Sequence, residues 1–140
     1  MQNSSILLPM LIQVSLILLI FILLGMRKTA AIKAGGVDRE KTALDNSAWP
    51  VDVVKVSNNI ANQFQTPVIY FVLCSMFYMT DSVTMPVYVL AWVYSITRLM
   101  HAFVHVSSNF VPARFGLFMI GVVCLIAMTV MAYMNMPISI

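Results

Sequence analysis

Lys55-Val56-Ser57-Asn58-Asn59-Ile60-Ala61-Asn62-Gln63-Phe64-Gln65-Thr66-Pro67 leads straight into a long apolar run, yet it carries a density of amides foreign to such a run. On a helix, Lys55, Asn58 or Asn59, Asn62 and Gln65 recur at the three- and four-residue spacing that stacks side chains on one face. The remaining residues of the stretch are largely apolar. If the surrounding solvent is lipid, a polar stripe of this kind must look inward, toward partner groups, water or a ligand.

Composition identifies the solvent. The chain has 140 residues, 61% of them hydrophobic and 9% charged, with a mean hydropathy of +0.91, which is far outside the range of a soluble domain. It reads as a single all-α integral membrane domain over residues 1–140, a four-helix bundle, because a crossing needs roughly 20 apolar residues. The net charge of +3 belongs to loops and helix ends, where it reports topology rather than nucleic-acid binding. Cys74 and Cys124 fall inside apolar segments and read as buried free thiols rather than as a disulfide or a metal site.

The expected spans are residues 6–26, 53–79, 87–106 and 115–134. The first reads as a retained span, since Arg27 and Lys28 follow its apolar run, whereas a signal peptide carries its positive charge ahead of it. Gln13 within it is suited to bonding a neighbouring helix. Residues 27–50 form the longest connection and hold Arg27, Lys28, Lys33, Arg39 and Lys41, with Gly35-Gly36 as a helix breaker and Trp49 as an interfacial anchor. The positive-inside rule places this loop, and with it 107–114, in the cytoplasm and both termini on the opposite side. Pro67 is expected to kink the second span. Met119, Met128, Met131 and Met134 in the last span read as packing or lipid-facing surface.

The third span holds a second unusual set: Arg98, His101 and His105, three and four residues apart on one face. At 1.5 Å per residue, Arg98 lies about 12 Å inside the span, and Asn62 of the antiparallel neighbour lies at a similar depth. The two stripes can therefore meet. No carboxylate lies within the spans to pair with Arg98, leaving the amide oxygens of Asn59, Asn62 or Gln65, water, or a bound anion. A closed hydrogen-bond network and a ligand site are both open readings. His101 and His105 make half a metal site that no Cys, Asp or Glu at matching depth completes, so no metal is expected. Arg114 opens the last span, either as a topological flank or as a cationic lip over a cavity.

Asn59-Ile60-Ala61-Asn62-Gln63-Phe64-Gln65-Thr66-Pro67, followed by Arg98, His101, His105 and Arg114, resembles the MAPEG family, the membrane-associated proteins in eicosanoid and glutathione metabolism. The resemblance covers nearly the whole chain and is strongest to bacterial members, which implies the bacterial inner membrane. It implies a homotrimer of four-helix subunits that binds glutathione between neighbours, in a cavity open to the cytoplasm, and acts on a small apolar substrate. Asn59, Asn62, Gln65, Arg98, His101 and His105 would hold the tripeptide as co-substrate. Arg98 and Arg114 would serve its carboxylates or its thiolate as catalytic groups. Gln65 stands where the family commonly has glutamate, so the glutathione ammonium meets a neutral hydrogen bond there instead of a charge-assisted one.

Two functions follow as alternatives: a glutathione-dependent transferase or peroxidase working on apolar electrophiles or lipid hydroperoxides, and a non-catalytic membrane protein whose polar stripes are structural or hold a lipid headgroup. A proton-coupled multidrug exporter of this length would need a membrane-embedded acid, and the first span has none. The topology is testable directly. A cysteine introduced by Asp38→Cys should react with an impermeant maleimide only from the cytoplasmic side, and labelling from outside alone would reverse the orientation.

Overall fold

The computed structural model describes residues 2–135. A single 3₁₀ turn, Asn3–Ile6, leads into α1 (Leu7–Ala34); α2 (Arg39–Leu44) and another 3₁₀ turn, Asn46–Ala48, follow. Then come α3 (Val51–Gln63), α4 (Thr66–Met79), α5 (Met85–Val106) and α6 (Val111–Asn135). No strand occurs among the described residues. Three helical segments are long and apolar enough to cross a membrane, Asn3–Ala34, Met85–Val106 and Val111–Asn135.

The segment expected as one kinked span, 53–79, is two helices of 13 and 14 residues. In a continuous helix the ring of Pro67 would meet the carbonyl of Gln63 and leave it without a donor. The chain instead leaves helical geometry at Phe64 and Gln65, the latter at φ −98° and ψ −99°, and Pro67 sits in the first turn of α4, where its missing N–H costs nothing. The buried face survives the break: Val53, Val56, Asn59 and Gln63 on α3 are continued by Pro67, Tyr70, Leu73, Cys74 and Phe77 on α4.

The first helix also runs further than the expected span, to Ala34 rather than to Met26. Residues 27–34 are mostly good helix formers, and the helix stops only at Gly35, whose φ of 81° suits a residue without a Cβ. The basic residues Arg27, Lys28 and Lys33 are thus helical rather than in a loop. The remaining connection is structured as well. The Asp38 carboxylate caps α2 by accepting from the backbone N–H of Glu40 and Lys41, and Trp49 donates its indole N–H to the Thr42 carbonyl while Lys28 Nζ lies 4.9 Å from its ring.

α5 is central, packing along α6 on one side and against α1 and α3 on the other. One apolar cluster joins α4, α5 and α6 through Tyr70, Phe77, Tyr94, Leu125 and Met128, with Cys74 and Cys124 as buried free thiols inside it. Its Tyr70 and Tyr94 rings stack at 4.4 Å. A second, smaller cluster joins α1, α3 and α5 through Leu16, Ile20, Val56 and Ala102. Gln13, Gln63 and Arg98 are buried between the two clusters along their helices, and Asn59, His101 and His105 are buried beside the second. Met128 is core, as expected of packing surface, while Met119 and Met134 are exposed.

At the basic end of the bundle, Arg27 of α1 bonds Asp52 of α3 at 2.8 Å. The guanidinium holds the Asp52 carboxyl below its ordinary range. A depressed carboxyl stabilises the fold above its unfolded pKa of about 3.9. That contribution is lost as pH falls through the lower folded value. Both side chains are substantially exposed, so Asp52→Asn should cost only about 0.2–1 kcal/mol at neutral pH. Thermal melts of the variant should lose the corresponding acid-side pH dependence, and Arg27→Gln should remove the same increment.

Candidate functional site

α5 presents its polar stripe in a fan. Arg98 points to α6, His105 to α3, and His101 lies between them. This follows from the three- and four-residue spacing on a helix wedged between two neighbours.

On the α3 side the contacts form a chain. Gln13 Nε2 of α1 donates to Gln63 Oε1 at 2.9 Å, Gln63 Nε2 donates to Asn59 Oδ1 at 3.1 Å, and Asn59 Nδ2 meets His105 Nδ1 at 3.1 Å. Asn62 Nδ2 approaches the same nitrogen at 3.4 Å. The two polar stripes therefore meet, but through His105 and not through Arg98. Gln63 is the residue that the sequence reading passed over. The signal was present, since Gln63 lies four residues after Asn59 and seven after Val56, on the buried rather than the half-exposed face.

Arg98 is completely buried, and Nε, Nη1 and Nη2 have no hydrogen-bond partner among the described residues. None of the amides expected to receive it does so. Its guanidinium is held between π faces, with Cζ 5.4 Å from the Tyr94 ring and 5.0 Å from the Phe118 ring. Gly121 of α6 makes the space: a Cβ there would stand 3.1 Å from Nη2 and 3.4 Å from Nε. Attraction between a desolvated cation and an aromatic face is worth about 2 kcal/mol or more, which offsets part of the burial cost.

Two clefts open beside Arg114. One, of about 210 Å³, is lined by Asn62, His101, Arg114, Phe115 and Phe118. The other, of about 300 Å³, is lined by Trp49, Lys55, Asn58, His105, Asn109 and Arg114. Neither is lined by a carboxylate. Arg114 Nη1 donates to Asn109 Oδ1 at 2.6 Å while its Nε is buried without a partner. Asn109 adopts a left-handed φ of 57° in the tight connection between α5 and α6, a conformation that asparagine tolerates. Lys55 donates to the Ser107 carbonyl at 3.1 Å, tying α3 to that connection. His101 carries a buried, unpartnered Nδ1 and packs edge-on to His105 at 5.7 Å.

Of the expected site residues, Asn62, His101 and Arg114 line one cleft, and His105 and Arg114 line the other. Asn59 stands behind His105. Arg98 lines neither cleft and lies behind Phe118, which does. Gln65 is exposed at the break between α3 and α4, and its side chain hydrogen-bonds none of these groups; six residues after Asn59, it does not share the face of Asn59 and Gln63. Among the described residues, no group of three His, Cys, Asp or Glu side chains is placed to hold a metal ion.

These features define an integral membrane helical protein with a layer of amides, imidazoles and a guanidinium inside an apolar bundle, next to a cationic mouth. The chain belongs to the MAPEG family, whose profile matches residues 6–134. No curated protein and no solved structure matches it.

The lack of an acceptor for Arg98 among the described residues fixes the sign of a stability test. Arg98→Met removes a buried cation of similar volume and strands no acceptor, so it forfeits the π contacts but also the desolvation cost. The melting temperature of detergent-solubilised protein should stay level or rise. A fall equivalent to several kcal/mol would show that Arg98 has partners in the assembled protein.

Proposed function

We propose that this protein is a membrane-bound glutathione transferase or peroxidase, active on apolar electrophiles or lipid hydroperoxides, with its basic end in the cytoplasm. The reading is supported by family membership and carried by one observation: the two clefts that meet at Arg114 offer cations, imidazoles and amides but no carboxylate. Such a lining suits a ligand with two carboxylates and an ionisable thiol. In this reading α3 and α4 together make one interrupted crossing, so the bundle has four spans. An interruption at membrane depth is tolerable where protein buries the freed backbone groups.

The chemistry needs a thiolate, because the thiol is a poor nucleophile. A nearby cation favours the ionised form, and Arg114 is the residue that faces both clefts. Arg98 contributes positive potential from behind Phe118 without contact. In conjugation, the thiolate sulfur attacks the electrophilic carbon, a C–S bond forms, and the leaving group departs with its electron pair. In peroxide reduction, the sulfur takes the distal oxygen, the O–O bond breaks, and the alcohol leaves; a second glutathione then converts the sulfenic intermediate to the disulfide with loss of water.

Gln65 requires a neighbouring subunit in this scheme. It is exposed on the single chain, beside Phe64, which packs edge-on to Phe21 at 6.0 Å. A homotrimer would let Gln65 of one copy close the cleft of the next, with a neutral hydrogen bond to the glutathione ammonium. The structural alternative accounts for Gln13, Gln63 and Asn59, which bond one another, but it leaves the unpartnered Arg98 and the open mouth at Arg114 without a role.

Calorimetry of the purified protein with glutathione should show binding. Arg114→Gln should lower conjugation of a chlorodinitrobenzene substrate about a hundredfold, the effect expected when a single electrostatic stabiliser is removed. No heat at millimolar glutathione would sink the reading in favour of a structural or lipid-binding protein.

A further inference from the structure

The amide chain that ends at His105 has a direction, and the direction is decided by what each end leaves unsatisfied. Every link donates toward His105, and the only sealed atom of the chain left without a partner among the described residues is Gln13 Oε1, a buried acceptor. Turning the amides of Gln13, Gln63 and Asn59 over would bury the Gln13 NH₂ with no acceptor at all. An under-satisfied carbonyl is the commoner and milder defect in native structures. The polarity toward His105 is therefore the stable one.

We infer that Gln13, Gln63 and Asn59 are positioning residues that hold His105 as the neutral Nε2–H tautomer, a fixed hydrogen-bond donor to an anionic ligand group in the cleft beside Arg114. Nδ1 must accept from Asn59, so the ring proton resides on Nε2. That nitrogen has no partner among the described residues and is not one of their sealed polar atoms, and His105 lines the cleft that also holds Lys55 and Arg114. The groups facing the ring are Asn59 and Asn62 from α3, His101 from its own helix and Arg114 from α6. No acid is among them. What the donor serves rests on the glutathione reading; the tautomer itself does not.

The chain contains only two histidines, so ¹⁵N-histidine labelling of the detergent-solubilised protein, with His105→Gln to assign the signals, reads the tautomer directly. Near neutral pH, His105 Nδ1 should resonate in the unprotonated range and Nε2 in the protonated range. Gln63→Met keeps the volume but deletes the donor that orients Asn59. It should move the Nδ1 signal toward the averaged position of two exchanging tautomers and weaken glutathione binding about tenfold. A wild-type His105 protonated at Nδ1 or exchanging freely overturns the inference, and that measurement needs no variant. A Gln63→Met signal unchanged from wild type also overturns it, since Asn62 would then suffice. A shifted tautomer with undiminished glutathione affinity removes the ligand role. A wild type that shows the fixed tautomer but binds no glutathione supports the positioning chain and sinks the transferase reading instead.

Discussion

Satisfying buried amides without water is the constraint on which this bundle depends. Each polar group left unpaired inside an apolar core costs about 1–3 kcal/mol, and the interior here contains several. The chain from Gln13 through Gln63 and Asn59 to His105 pairs groups from α1, α3 and α5 in a single line. It thereby fixes the rotation of three helices relative to one another. Apolar packing alone would tolerate small rotations between helices, since methyl groups are interchangeable neighbours, whereas a directional bond near 3 Å is not. The interruption at Phe64 and Gln65 belongs to the same constraint. It lets Pro67 enter the first turn of a new helix while the buried face passes from Asn59 and Gln63 to Tyr70 and Cys74 without changing sides.

Arg98 solves a harder problem by different means. It lies on the same helix face as His105 yet looks toward α6, where none of the described residues offers an acceptor. Two aromatic rings and the bare backbone of Gly121 take its guanidinium instead. An arginine stacks on aromatic faces in a way lysine does not, because its charge is spread over a plane and weakly hydrated. The consequence is a fixed positive charge in a low-dielectric region, close to a cleft it does not line. Charges so placed act at longer range than the same charge in water.

The mouth is assembled from residues with no common element. Lys55 comes from α3, His105 from α5, Asn109 from the connection after it and Arg114 from α6, and Trp49 closes over them from the segment before α3. Helix ends and short connections supply most of this lining, while the rigid interior of the bundle supplies the groups behind it. That division lets the apolar body stay close-packed while polar chemistry is confined to one end.

The sequence by itself determined the solvent, the all-helical class, the family, the helices around Arg98 and Arg114, and the fact that two polar stripes had to find partners, because hydropathy and three- and four-residue spacing are local properties of the chain. It also placed Gln13 correctly as a group that bonds another helix. It could not determine which polar residue meets which. Gln63 shares the inward face of Asn59 by its four-residue spacing, yet only the packing of α1 against α3 brings Gln13 to it. Arg98 met rings rather than amides because α6 crosses α5 at Gly121, a contact between residues distant in sequence that no periodicity encodes. The length of α1 beyond Met26 lay in the sequence as helix propensity, but charge masked it. Tertiary packing decided the rest, since only the relative rotation of the helices chooses among partners that spacing leaves equivalent.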